Sequence, residues 1–82
     1  MILADQIRHF VLETYILPAR ERGQSTIHLV AGEIHAEMGL KDRMPAVCGA
    51  LDAGKFADQC HIVVVSRQGP KYSNTAEWVV EV

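Results

Sequence analysis

Gly49-Ala-Leu-Asp-Ala-Gly54-Lys55-Phe56 matches the first seven positions of a phosphate-cradling P-loop, so it is the first stretch to weigh for chemistry. The eighth position must be Ser or Thr to hold magnesium, and here it is Phe56. A P-loop also follows a strand and opens a helix, whereas this run closes one, so the match is coincidental. His9, His28, His35 and His61, with Cys48 and Cys60, are zinc-ligand types without finger or ribbon spacing. Cys60 and His61 are adjacent and point to opposite sides of a strand. Cys48 shares an apolar stripe with Met44, Val47 and Leu51, a setting for packing and not for a stabilised thiolate. Ser25, Ser66 and Ser73 have no Gly-x-Ser-x-Gly surroundings. Glu33 and Glu37 share a helix face, but without a cleft or metal ligands they read as solubilising charge. The expectation is a protein that is not an enzyme, with no catalytic residue, no cofactor, no metal site and no small-molecule substrate.

What remains is the placement of charge. The 82 residues are 49% apolar and 22% charged with a formal net charge of −2, so whole-chain charge gives no basic footprint for nucleic acid. The cations nevertheless cluster along the chain. Lys41 and Arg43 flank one turn, Lys55 follows the next apolar stretch, and Arg67 and Lys71 share a loop with Tyr72. Most acids lie elsewhere, at Asp5, Glu13, Glu21, Glu33, Glu37, Glu77 and Glu81, while Asp42, Asp52 and Asp58 interrupt the separation. Phosphate binding responds to the local field, so a polarised molecule can bind DNA at this net charge.

The elements that must position these residues are legible from periodicity. Leu3, Ile7, Phe10, Val11, Thr14 and Leu17 recur at helical spacing, with Asp5, Arg8, His9 and Glu13 elsewhere on the wheel. Pro18 must kink or restart that helix, and Gly23 ends it. Thr26 to Leu29 alternates as a short strand. Ala31 to Met38 forms a second helix closed by Gly39, with Leu40 packing back on it. Asp42 is the expected N-cap of a third helix with Pro45 in its first turn, and Gly54 is its expected stop. His61 to Ser66 and Thr75 to Val82 then form a hairpin whose loop, Arg67 to Thr75, protrudes. In the last strand Trp78, Val80 and Val82 face the core.

The chain is therefore read as one α+β domain over residues 1–82, in the order helix, strand, helix, helix, strand, strand. This order, with Gly39 in the tight turn and the long C-terminal hairpin, resembles the winged helix-turn-helix superfamily. The stretch from Gly39 to Leu51 is also similar to one found in small uncharacterised prokaryotic proteins, which adds no chemistry. The resemblance implies three helices, a small antiparallel sheet and a hairpin wing. It further implies double-stranded DNA as partner, with Lys41, Arg43, Ala46, Lys55, Arg67, Lys71 and Tyr72 at the interface. The helix that would enter the major groove offers outward Arg43, Ala46, Gly49, Ala50, Asp52 and Ala53, almost without base-reading donors. Binding through it is expected to be weakly selective. The alternative is a protein-docking module that uses the small face Ala46, Gly49, Ala50 and Ala53. The start of the chain acquires charge at Asp5 and Arg8, which suits neither a signal peptide nor a membrane span, and a cytoplasmic location is expected.

Overall fold

Ile7 and Val11 are fully buried, as the helical spacing requires, but the next buried positions are Ile16 and Ala19 and not Thr14 and Leu17. The computed structural model, which describes residues 2–82, gives the reason. Helix α1 (Leu3–Val11) runs through a π-helical stretch (Leu12–Ile16) into α2 (Leu17–Glu21) as one continuous helix. A π turn holds one extra residue, so the face that meets the core moves on by one. Leu17 is left 41% exposed. Pro18 is the second residue of α2, directly after the π-helical stretch, so its ring and its missing N–H fall where the regular bonding pattern of the helix is already interrupted. The restart expected at Pro18 thus takes the form of a π turn. The helix ends at Gly23 with the paired bonds of a Schellman cap, Gly23 N–H to Arg20 O at 3.1 Å and Gln24 N–H to Ala19 O at 3.0 Å.

Strand β1 (Thr26–Val30) leads directly into α3 (Ala31–Glu37), then α4 (Met44–Asp52), α5 (Gly54–Cys60), β2 (Val63–Gln68) and β3 (Glu77–Glu81). With the first helix counted as one, the described residues form four helices where three were expected. The addition is α5. Ala53 turns to an extended backbone and serves as both the C-cap of α4 and the N-cap of α5, so Gly54 stops one helix and opens the next. Phe56, fully buried on α5, supplies the anchor that makes this short helix pack. His61 closes it in the left-handed region at φ 54°.

The sheet is antiparallel in the order β1-β3-β2, with β3 in the middle. Trp78 and Val80 point into the core and Glu81 points outward, as alternation predicts. The core joins one sheet face to α1, α3, α4 and α5 around Trp78, Phe56, Ile7, Ile16, Leu29, Ile34 and Leu51. Cys48 and Cys60 are free, buried thiols within it, and burial pushes both of their pKa values up. Among the described residues no helix is long and apolar enough to cross a membrane.

One correction concerns charge inside this core. Arg8, placed by the helical wheel on the wet face, is only 4% exposed. It pairs with Asp5 at 2.7 Å, donates to Gln59 Oε1 on α5 and donates to the Ala50 carbonyl on α4 at 3.1 Å. One guanidinium therefore ties three helices together. The Arg8 hydrogen bond holds the Asp5 carboxyl below the usual range.

Candidate nucleic-acid interface

The α3–α4 turn is built on Gly39, whose φ of 68° is the left-handed conformation a glycine adopts without steric cost. Gly39 N–H bonds Ala36 O at 3.0 Å and Leu40 N–H bonds His35 O at 3.1 Å, which is the cap the sequence implied. The expected N-cap is displaced. Asp42 takes φ 55°, and the residue preceding α4 is Arg43, without a side-chain cap. In place of an Asp42 carboxylate, the imidazole Nε2 of His35 accepts the Arg43 N–H at 3.1 Å. Lys41 and Arg43 are both exposed on this turn.

The loop after β2 is tied to the helices at its base. Its far side is sewn to the start of α3 by Ala31 N–H to Ala76 O and Gly32 N–H to Asn74 O, each 2.9 Å. A Cβ at Gly32 would stand 2.9 Å from Asn74 O, so only glycine allows this approach. The Cys48 thiol donates to the Ser73 carbonyl at 3.7 Å, which fixes the loop to α4 as well. Lys71 and Tyr72 remain exposed at its tip, with Lys71 Nζ 5.3 Å from the Tyr72 ring centre.

Arg67 holds the near side, and its placement corrects its expected role on a wing tip. It lies within β2 and grips Asp52 of α4 through two bonds of 2.9 and 3.1 Å. Its other donors reach the carbonyls of Gln68, Gly69, Pro70 and Lys71. The guanidinium carbon also lies 5.0 Å over Trp78. Trp78 Nε1 donates to the same Asp52 at 2.8 Å. Burial raises the Asp52 carboxyl, but the Arg67 and Trp78 hydrogen bonds and the Arg67 charge outweigh it, and its pKa falls below the usual value. Arg67 is thus a clamp that shapes the loop and has few donors left for a phosphate.

Two further expected site residues move. Ala50 is 2% exposed, against the core, with its carbonyl taken by Arg8, so it cannot belong to an outward docking face. Lys55 opens α5 at the far end of α4 and is close enough to Asp5 to lower its pKa, which places it towards α1 and away from Lys41 and Arg43 at the start of α4. Gly49 is exposed at mid-helix, Ala46 and Ala53 are half-buried, and Pro45 and Asp52 complete the outer side of α4. Lys41 and Arg43 thus stand at the start of α4 and Ala46 and Gly49 further along it, while Lys71 and Tyr72 lie on the loop that Ser73 ties to Cys48 of the same helix. Lys71 is near enough to Asp52 to help lower its pKa. Among the described residues, Lys41, Arg43 and Lys71 form no ion pair with an acid.

The residues that sequence reasoning missed are Arg8, His35 and the Asp52–Trp78 pair. Arg8 carried a signal in hindsight, an Asp–Arg pair at i, i+3 on a helix whose apolar stripe passes beside it. His35 and Asp52 carried none, because their partners lie across a turn and across the sheet. Among the described residues no group of three or more His, Cys, Asp or Glu side chains is placed to hold a metal ion. Comparison with known proteins finds no matching family model, curated protein or solved structure.

Proposed function

We propose that this chain is a cytoplasmic winged helix-turn-helix domain that binds double-stranded DNA with little sequence preference, α4 lying close against the phosphate backbone. The sheet order β1-β3-β2, with α3 and α4 inserted between β1 and the β2–β3 hairpin, supports the winged-helix assignment. The observation that carries contact through α4 is Gly49. A glycine within a helix costs about 1 kcal/mol relative to alanine. No atom lies within 4 Å of where its Cβ would stand, so nothing inside the molecule requires it. A bare position there leaves room for close approach by another backbone.

The outer side of α4 reads no bases, since Pro45, Ala46 and Gly49 have no side-chain donor and Asp52 is held by Arg67 and Trp78. Affinity then comes from Lys41, Arg43 and Lys71 on phosphates, with Tyr72 against a sugar or base. Three neutralised phosphates give a slope of about −2.7 for log K against log salt. Titration with duplex DNA at low salt, followed by amide shifts, tests the reading. Shifts are expected at Lys41, Arg43, Gly49 and Lys71, with none at Lys55. If roughly 100 µM duplex moves no amide, the reading is wrong, because nonspecific binders respond at or below that concentration.

A protein-docking role is the second reading, and the observation that favours it lies away from α4. Val63, Val64 and Val65 are 58%, 37% and 55% exposed on β2, an edge strand. Such an edge invites another chain, although the bulge at Val65 interrupts its row of donors. Sedimentation over a range of concentrations decides it. Self-association abolished by Val65→Lys supports docking, and a monomer at every concentration removes its self-pairing form.

A further inference from the structure

His35 closes the α3–α4 turn from two sides. Its carbonyl accepts the Leu40 N–H and its imidazole Nε2 accepts the Arg43 N–H, both at 3.1 Å. Between those two bonds the backbone is unfavourable, since Asp42 at φ 55° occupies a region that bulkier L-residues avoid. The Arg43 side chain does not cap α4; its guanidinium donates to the Asp42 carbonyl at 3.2 Å and its own carbonyl accepts the Val47 N–H at 3.1 Å, so His35 Nε2 is the partner of its backbone N–H. The bond from Arg43 exists only while Nε2 carries a free lone pair. A protonated imidazole has N–H donors on both nitrogens and accepts nothing.

We propose that His35 is a proton-operated latch on this turn: neutral, with its proton on Nδ1, it holds Arg43 in place, and protonated it releases it. Histidine is the side chain whose charge ordinarily changes between about pH 5 and 8. Released, the imidazolium would face the Arg43 N–H with a donor and add charge beside Lys41 and Arg43.

The other charged and titratable groups on the surrounding elements are largely engaged. Glu37 of α3 accepts from Tyr15 of the first helix at 2.6 Å, and Glu13 there pairs with His9. His28 of β1 pairs with Glu77, and Asp52 of α4 with Arg67. Cys48 is buried and donates to Ser73, and Glu33 is exposed in the first turn of α3. The proton at His35 therefore acts chiefly on the turn's own Lys41, Asp42 and Arg43. The latch concerns the same surface as the DNA reading but does not rest on it, because its readout is the turn.

Nitrogen NMR of the imidazole rings gives the first test. At about pH 8, His35 should be the Nδ1–H tautomer, the minor form of free histidine. Between about pH 8 and 5 the exchange protection factor of the Arg43 amide should fall about tenfold, the loss of one hydrogen bond, with the midpoint of the His35 ring shifts. In His35→Phe the Arg43 amide should lack that protection at every pH. An Nε2–H tautomer at high pH overturns the proposal in the native protein alone. So does Arg43 protection that stays flat or follows His9, His28 or His61.

Discussion

Arg8 and Arg67 each grip an aspartate and at least one backbone carbonyl, yet one holds the body of the fold and the other shapes a surface loop. Arg8 is nearly sealed from water and reaches α4 and α5 from α1. Arg67 is 23% exposed at its side chain and reaches α4 and four successive carbonyls of its own loop. The difference lies in what each leaves behind if removed. Without Arg8, a buried carbonyl and the packing between three helices lose their partner. Without Arg67, water can replace it at most of the carbonyls. A cation's position along the chain therefore says little about its use until the destination of its donors is known.

The sharpest way to break the comparison is Arg8→Ala, which should destabilise the protein by about 3 kcal/mol, from an unsatisfied Ala50 carbonyl and a void among helices. Urea unfolding measures it. Arg8→Met restores volume but no donors, so recovery of most of that loss would assign Arg8 to packing and not to hydrogen bonding. Little change in either variant would sink the claim that Arg8 ties the helices.

Arg67→Gln should cost less, about 1–2 kcal/mol, and its effect should be local. Faster amide exchange is expected from Gln68 to Ala76, with α1 and α5 unchanged; exchange rising equally everywhere would remove the contrast with Arg8. The pH dependence has a definite sign. The Asp52 pKa is depressed in the folded protein, so its contribution is fully present above the unfolded carboxylate value, near about pH 4, and is lost as pH falls through the folded value. The loop should loosen on acidification below about pH 4 in the native protein, and in Asp52→Asn that local pH dependence should be lost while the part due to Asp5 remains.

Local chemistry in the sequence determined much of this fold. Gly23 and Gly39 marked helix ends because glycine takes the left-handed cap conformation without steric cost, and the alternation of Trp78 and Val80 marked the buried face of β3. The π turn before Pro18 was hidden because an inserted residue leaves no composition signal and only shifts which later residues are buried. Helix α5 was hidden because Gly54 looks like a stop and Phe56 anchors only seven residues. In the site, Lys41, Arg43, Lys71 and Tyr72 were legible as an exposed set, whereas the engagement of Arg67 was not. Its partners, Asp52 and Trp78, come together only when β2 pairs with β3 beside α4.

The smallest expected effect tests the other half of the molecule, the bare side of α4. Gly49→Ala adds one methyl group where no atom stands within 4 Å and removes backbone freedom from the unfolded chain. It should therefore stabilise the isolated protein by about 0.5–1 kcal/mol, read as a rise in the urea midpoint with an unchanged slope. If close approach by a partner backbone is the reason for glycine here, the same methyl should weaken DNA binding while it strengthens the fold. Opposite signs in the two measurements would be hard to obtain from a merely solvated helix face. A variant more stable and equally able to bind would mean that α4 stays clear of the DNA and that contact runs through the turn and the loop alone. A variant less stable would mean that the space over Gly49 is not open, and the argument from that glycine would fall.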